Sequence, residues 1–166
     1  VTARAVLCDH ARPLAAEIDA LGQPAPAVYS IHIPGKPLGK ARSRSTRAGH
    51  HYTPAATENA EAWARGCMHE QYHGPLLSGA VGVMVDAVMP VPRSWSKRKQ
   101  ADALTGRLRP TGKPDWDNIA KLYTDAAKGL LWHDDSQVVV ATVSKRYGAA
   151  PHVLLRIQSI ADEATA

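Results

Sequence analysis

The order of patterned segments along the chain, β-α-β-α-α-β-β, predicts an α+β domain: a mixed β-sheet that ends in an antiparallel hairpin, with helices packed against it. Three observations carry this reading. Segments at 28–33, 81–87, 138–147 and 153–157 are rich in β-branched residues or alternate apolar with other residues. Segments at 53–73 and 115–128 have helical periodicity and recognisable ends. No internal repeat interrupts the order. The domain is expected over 28–160, between an N-terminal extension (1–27) and a short tail (161–166).

In the extension, Leu14, Ile18 and Leu21 fall on one face of a short helix over 13–21, which Gly22 to Pro26 breaks. Val28 to Ile33 reads as the first strand, ended by Pro34-Gly35. Gly35 to His51 reads as a loop or loose hairpin. Thr53 is the expected N-cap of the next helix, Pro54 its first residue, and Gly74-Pro75 its stop. At 100° per residue Ala60, Trp63, Ala64 and Cys67 share the core face, opposite Glu58, Glu61, Arg65 and His69. Val81, Val83, Val85 and Ala87 form a second strand, closed by Pro90. Ser94 or Ser96 can cap a short basic helix ending near Gly106. The third major helix runs from Asp115 to Lys128 on a stripe of Ile119, Leu122, Tyr123, Ala126 and Ala127, with Gly129 after its end. Val138 to Tyr147 is a strand, and Gly148 to Pro151 turns into a last one carrying Val153, Leu155 and Ile157.

With 45% apolar and 21% charged residues among 166, the chain is not mostly disordered and is long enough for a real core. It has no run of about 18 apolar residues, so no transmembrane helix is expected. Asp9, His10 and Arg12 leave no signal-peptide core, and Cys8 and Cys67 form no CxxC pair. A cytoplasmic protein without disulfides is the expectation.

Lys and Arg number 20 against 15 Asp and Glu, a net charge of +5, but the excess is uneven. From Ala20 to Thr57 there is no acid, while Lys36, Lys40, Arg42, Arg44 and Arg47 gather there. A second basic stretch holds Arg93, Lys97, Arg98, Lys99, Arg107, Arg109 and Lys113 against Asp102 alone. The sign then reverses through Asp115, Asp117, Asp125, Asp134 and Asp135. Cations in two loops around a short acidic segment point to a polyanion held near a metal.

Acids at a helix start are commonly caps, and Asp-x-Asp alone is a weak motif. Here Asp117 and Lys121 project from one helical face, and a second acidic pair, Asp134-Asp135, follows the helix. If the following strand lies beside the helix start, Asp135 approaches Asp115 and Asp117. Three converging carboxylates need a cation, and their hard oxygens suit Mg²⁺, or Mn²⁺, which also takes phosphate oxygens. Lys121 would then meet charge developing on a phosphoryl group. Asp125, further along the helix, is expected to be a bystander.

Ile33-Pro-Gly-Lys-Pro-Leu-Gly-Lys-Ala-Arg42-Ser-Arg44, Tyr52-Thr-Pro54 and Val91-Pro-Arg-Ser-Trp95-Ser-Lys97 occur in that order. They precede Lys113-Pro-Asp-Trp-Asp-Asn-Ile-Ala-Lys121 and Leu131-Trp-His-Asp-Asp-Ser-Gln-Val138. On these motifs the chain resembles the RusA family of Holliday junction endodeoxyribonucleases over roughly 28–160. The resemblance implies an Mg²⁺-dependent homodimer that nicks four-way DNA junctions in symmetric pairs, in recombination and repair. It implies essential aspartates at Asp115, Asp117 and Asp135 and an essential lysine at Lys121. Asn118 and Asp134 are candidates for supporting those ligands. Lys36, Lys40, Arg42, Arg44, Lys97, Arg98, Lys99 and Lys113 are candidates for neutralising DNA phosphates.

Two rival readings exist. A non-catalytic DNA-binding protein would not keep an acidic set that hinders DNA binding unless metal neutralises it. A zinc peptidase is offered by His69-Glu70-Gln71-Tyr72-His73, an H-E-x-x-H match. Gly74-Pro75 would end the helix at the second His, and no third ligand follows in a recognisable pattern. Of the tryptophans, Trp63 is expected in the core, Trp95 and Trp116 to pack or, as the less favoured alternative, to touch DNA bases, and Trp132 to anchor the loop that presents Asp135.

Overall fold

A computed structural model describes residues 28–42, 44–45, 49 and 51–160. The expected helix over 13–21 and the tail 161–166 lie outside them.

Four strands form the main sheet: β1 (Val28–Pro34), β4 (Ala80–Pro90), β5 (Val138–Gly148) and β6 (His152–Ile160), in the order β1-β6-β4-β5. Two short strands, β2 (Arg44–Ser45) and β3 (His51–Tyr52), pair antiparallel within the expected loose hairpin. The helices are α1 (Ala55–Gln71), α2 (Lys97–Leu104) and α3 (Trp116–Ala127). A 3-10 turn over Asp135–Gln137 leads into β5. The fold is therefore α+β with a mixed sheet, as the sequence pattern predicts.

The C-terminal hairpin does not form. β4 lies between β5 and β6, pairing parallel with β5 and antiparallel with β6. β5 and β6 do run antiparallel, but they flank a shared neighbour. The cause is the long crossover through α2 and α3, which brings the chain back beside β4 in the parallel sense. β4 is one of the two interior strands, and Val81, Val83, Val85 and Ala87 are almost fully buried on its helix-facing side.

The core lies between that side of the sheet and helices α1 and α3. Ile31, Ile33, Val153, Leu155 and Ile157 meet Ala64, Met68, Ile119, Leu122 and Trp132 there. The predicted stripe of α3 is buried in full. Each large side chain so removed from water contributes about 1.5–3 kcal/mol.

Helix α1 departs from its expected start and face. Pro54, not Thr53, is the N-cap, and its carbonyl accepts from the amides of Thr57 and Glu58. Trp63 is 57% exposed; its Nε1 donates to the Pro34 carbonyl at 3.0 Å, which holds α1 to the end of β1. The expected Ala64 and Cys67 are buried and Ala60 packs against the core, while Thr57 and Met68 complete the buried face in place of Trp63. Arg65 donates to the carbonyls of Ala126 and Lys128, closing the C-terminus of α3 with a cation. On α2, Ser96 is the cap, accepting from the Lys99 amide at 3.4 Å.

Candidate active site

Asp115 is the N-cap residue of α3, yet its side chain makes no capping hydrogen bond. The ordinary reason for an acid at this position is thus missing, and its carboxylate faces solvent. Asp117 follows in the first turn and Lys121 one turn later, both exposed. Among the described residues, no ion pair or hydrogen bond engages these three side chains. Trp116, between the two aspartates, is 63% exposed and does not pack as expected. Trp95 does pack, edge-on against Tyr147, with Lys99 over its ring at 4.1 Å.

The segment leading into α3 is anchored from the sheet. Lys145 Nζ on β5 donates to the carbonyls of Gly112 and Pro114 at 3.1 and 2.9 Å. Gly39 packs against the other side of this segment, so closely that a Cβ there would stand 2.8 Å from Pro114 Cβ and 3.1 Å from Asn118 Cβ. The Lys40 amide donates to the Asn118 carbonyl at 2.8 Å. Between the two loops lies a cavity of about 690 Å³, to which Lys36, Arg42, Lys113, Asp115 and Asn118 contribute. The first basic stretch and Lys113, the last residue of the second, thus meet at the amino-terminal end of α3, where the helix dipole also favours anions.

The expected cations are not equivalent. Lys36, Arg42 and Lys113 line the cavity. Lys40 contributes to its wall but turns its ammonium toward Asp125 and Glu61. Burial opposes that charge, but the ammonium donates to Asp125 and lies against Glu61, and the two carboxylates together outweigh burial and hold the lysine pKa above its ordinary value. Arg44 falls on β2, its side chain outside the described residues. Lys97, Arg98 and Lys99 stand exposed on α2, outside the cavity lining.

Asp135 is set by a second construction. Trp132 is fully buried, and its Nε1 donates to Asp135 Oδ1 at 3.1 Å. The expected anchoring role of Trp132 therefore has a direct bond behind it. Asp134 caps the 3-10 turn by accepting from the Ser136 amide at 3.1 Å, and it pairs with Lys128. The Lys128 bond, with help from Ser136, lowers its pKa to about 2. Gln137 completes the turn. Its Oε1 accepts from the amides of His133 and Asp134, and its Nε2 donates to the carbonyls of Leu77 and Gly79. Sequence reasoning gave Gln137 and Lys145 no role. A Gln three residues after an Asp is a capping-box signal that would have found the first.

The expected approach of Asp135 to Asp115 and Asp117 does not occur within one chain. Helix α3 runs antiparallel to β5. Near the end of β5, Lys145 touches the segment before the helix, whereas Trp132 bonds to Gly129 just after it. Asp135 thus sits at the carboxyl end of α3, beside Lys128. The 12-residue helix is about 18 Å long, which separates the two acidic sets. Among the described residues no three His, Cys, Asp or Glu side chains gather as a metal site.

The H-E-x-x-H match has the wrong local structure for its usual chemistry. Helix α1 ends at Gln71, so His73 lies beyond the helix that carries His69, and both are exposed.

The sequence pattern of endodeoxyribonuclease RusA matches residues 34–158. The matched span begins at the end of β1, stops within β6, and includes the cavity, α3 and the Asp135 turn. The chain is also similar to a Bacillus subtilis (strain 168) protein described as uncharacterized protein YqaN. The two are 36% identical over 131 residues, 76% of this chain and 92% of the relative. With the acidic helix start, the cation-lined cavity and the Asp135 turn all inside the matched span, the chain belongs to the RusA endodeoxyribonuclease family.

Proposed function

We propose that the chain is a divalent-metal-dependent endonuclease that resolves four-way DNA junctions by paired, symmetric phosphodiester hydrolysis, acting in recombination and repair as a cytoplasmic homodimer. The observation that carries the proposal is the meeting of Asp115 and the first turn of α3 with Lys36, Arg42 and Lys113 around one cavity. Carboxylates and cations in one place suit a phosphodiester held beside a metal, and neither alone would.

The donor set fits Mg²⁺ or Mn²⁺. Asp115 and Asp117 offer carboxylates not used for capping, and Asp135 has one oxygen fixed by Trp132 and the other available. When bound, such an ion supplies Lewis-acid polarisation of the phosphate and a hydroxide nucleophile near neutral pH. Lys36, Arg42 and Lys113 hold flanking phosphates and set the register of the strand. Lys121 meets the negative charge that grows on the phosphoryl oxygens. Asn118, half-buried beside Asp115, and Asp134, which shapes the turn of Asp135, support the ligands.

The length of α3 between the acidic sets supports assembly. A two-fold related copy can set its own Asp135 beside Asp115 and Asp117, which the helix forbids within one chain. Two such sites match the two-fold symmetry of a junction. Among the described residues no helix is long and apolar enough to cross a membrane.

A synthetic four-way junction tests the function. In Mg²⁺ the protein should release paired nicked duplexes and leave linear duplex of the same sequence largely intact. Equal cutting of both substrates would remove the junction from the proposal.

A further inference from the structure

We propose that Lys40, Glu61 and Asp125 form a clasp that positions the basic loop 36–42 for DNA, so that Lys40 is a positioning residue and not a phosphate ligand. The proposal rests on the nuclease reading for the identity of what the loop holds.

The geometry has three parts. First, the Lys40 ammonium lies between the Asp125 carboxylate and Glu61 Oε1, the latter at 2.9 Å, with each side chain only about one quarter exposed. Second, Glu61 Oε1 is sealed from water without a well-directed hydrogen bond, so Lys40 is its counter-charge. Third, the flanking backbone is bound to the same two helices: the Lys40 amide to Asn118 on α3, and the Ala41 amide to Thr57 Oγ1 on α1 at 3.4 Å. The clasp therefore joins the loop, α1 and α3 at one point. Lys36 and Arg42, on either side of Lys40, share the cavity with Asp115. A phosphate taking Lys40 would have to break two ion pairs in partly dry surroundings, whereas Lys36 and Arg42 need break none among the described residues.

The sign of one mutation separates the clasp from simple electrostatics. Asp125→Asn removes a negative charge from a DNA-binding protein, which by Coulomb attraction alone tightens binding. If Asp125 holds the loop, the same change loosens it and weakens binding.

The experiment compares wild type, Asp125→Asn, Asp125→Glu, Glu61→Gln and Lys40→Met. Affinity for a synthetic four-way junction is measured in EDTA across a salt series, and backbone amide exchange is measured on the free protein. In Asp125→Asn the Lys40 and Ala41 amides should exchange at least about tenfold faster, while Ile119 and Leu122 keep their protection. Junction affinity should fall by about tenfold as Lys36 and Arg42 lose alignment, and Asp125→Glu should restore much of it. Lys40→Met should weaken binding with an unchanged salt slope. Glu61→Gln reads the same clasp should Asp125→Asn fail to fold. Asp125→Asn or Glu61→Gln binding as tightly as wild type, or a slope flatter by about one in Lys40→Met, would overturn the proposal. Wild type that bound no junction would overturn the nuclease reading instead, and amide exchange would still decide whether the clasp holds the loop.

Discussion

Asp135 depends on one indole. Trp132→Phe keeps most of the buried ring but loses the Nε1 donor that fixes Oδ1. The variant should lose about 1–2 kcal/mol of stability and about tenfold in cleavage, with junction binding retained. Thermal melts and a nicking assay check both parts. Asp134 gives a pH signature. Its pKa falls from 3.8 to about 2 in the fold, so its contribution is complete above 3.8 and is lost as pH drops through about 2. Melting Asp134→Asn beside wild type from pH 5 downward should show a gap that closes toward pH 2; a gap independent of pH would deny the Lys128 pairing. Several residue roles were legible in the sequence, among them the stripe of α3 and the anchoring by Trp132. The pairing of Asp125 with Lys40 is not legible in the sequence, because it spans 85 residues and local periodicity places Asp125 only on the edge of the helix beside the buried stripe. Helical periodicity puts Trp63 on the core face, among small apolar neighbours. Its ring instead reaches a carbonyl at the end of β1, a partner that helical periodicity cannot reveal.

At the scale of elements, the basic loop packs closely against the start of α3. Gly39→Ala would push a methyl group into Pro114 and Asn118, where neither a proline ring nor helix backbone gives way easily. A cost of about 1–3 kcal/mol is expected, with weaker junction binding, since the loop must lift from the site. Denaturant titration with a filter-binding assay measures both. Gly129 has a different reason to be glycine: its φ of 69° ends α3 in the left-handed region. That signal, like the Ser96 cap, is local and was readable from sequence. The Pro54 cap was not, because the usual rule favours Thr as the cap and Pro as the first helical residue, and the helix starts one residue later than that rule places it.

At the scale of the molecule, sequence order failed where long-range pairing decides. The short Gly148–Pro151 connection reads as a hairpin turn, but β4 takes the place between its strands. That insertion also sets the direction of β5 along α3 and so keeps Asp135 from the other aspartates. If each site is completed by a partner, the chain should run as a homodimer of twice 17.8 kDa in light scattering. Mixing inactive Asp117→Asn with inactive Asp135→Asn chains should then restore nicking of one strand, since a mixed dimer has one site with all its aspartates. Silence in the mixture, with subunit exchange shown, would place all three ligands in one chain.

The central claim is that the acidic start of α3, beside Lys36, Arg42 and Lys113, is a metal-dependent nuclease centre. Asp117→Asn tests it most directly, on a four-way junction with Mg²⁺ or with EDTA. Wild type should cut in Mg²⁺ and stop in EDTA, while Asp117→Asn should bind the junction at least as tightly and cut in neither. Cutting by Asp117→Asn at near the wild-type rate, or wild-type cutting undiminished in EDTA, would contradict the account.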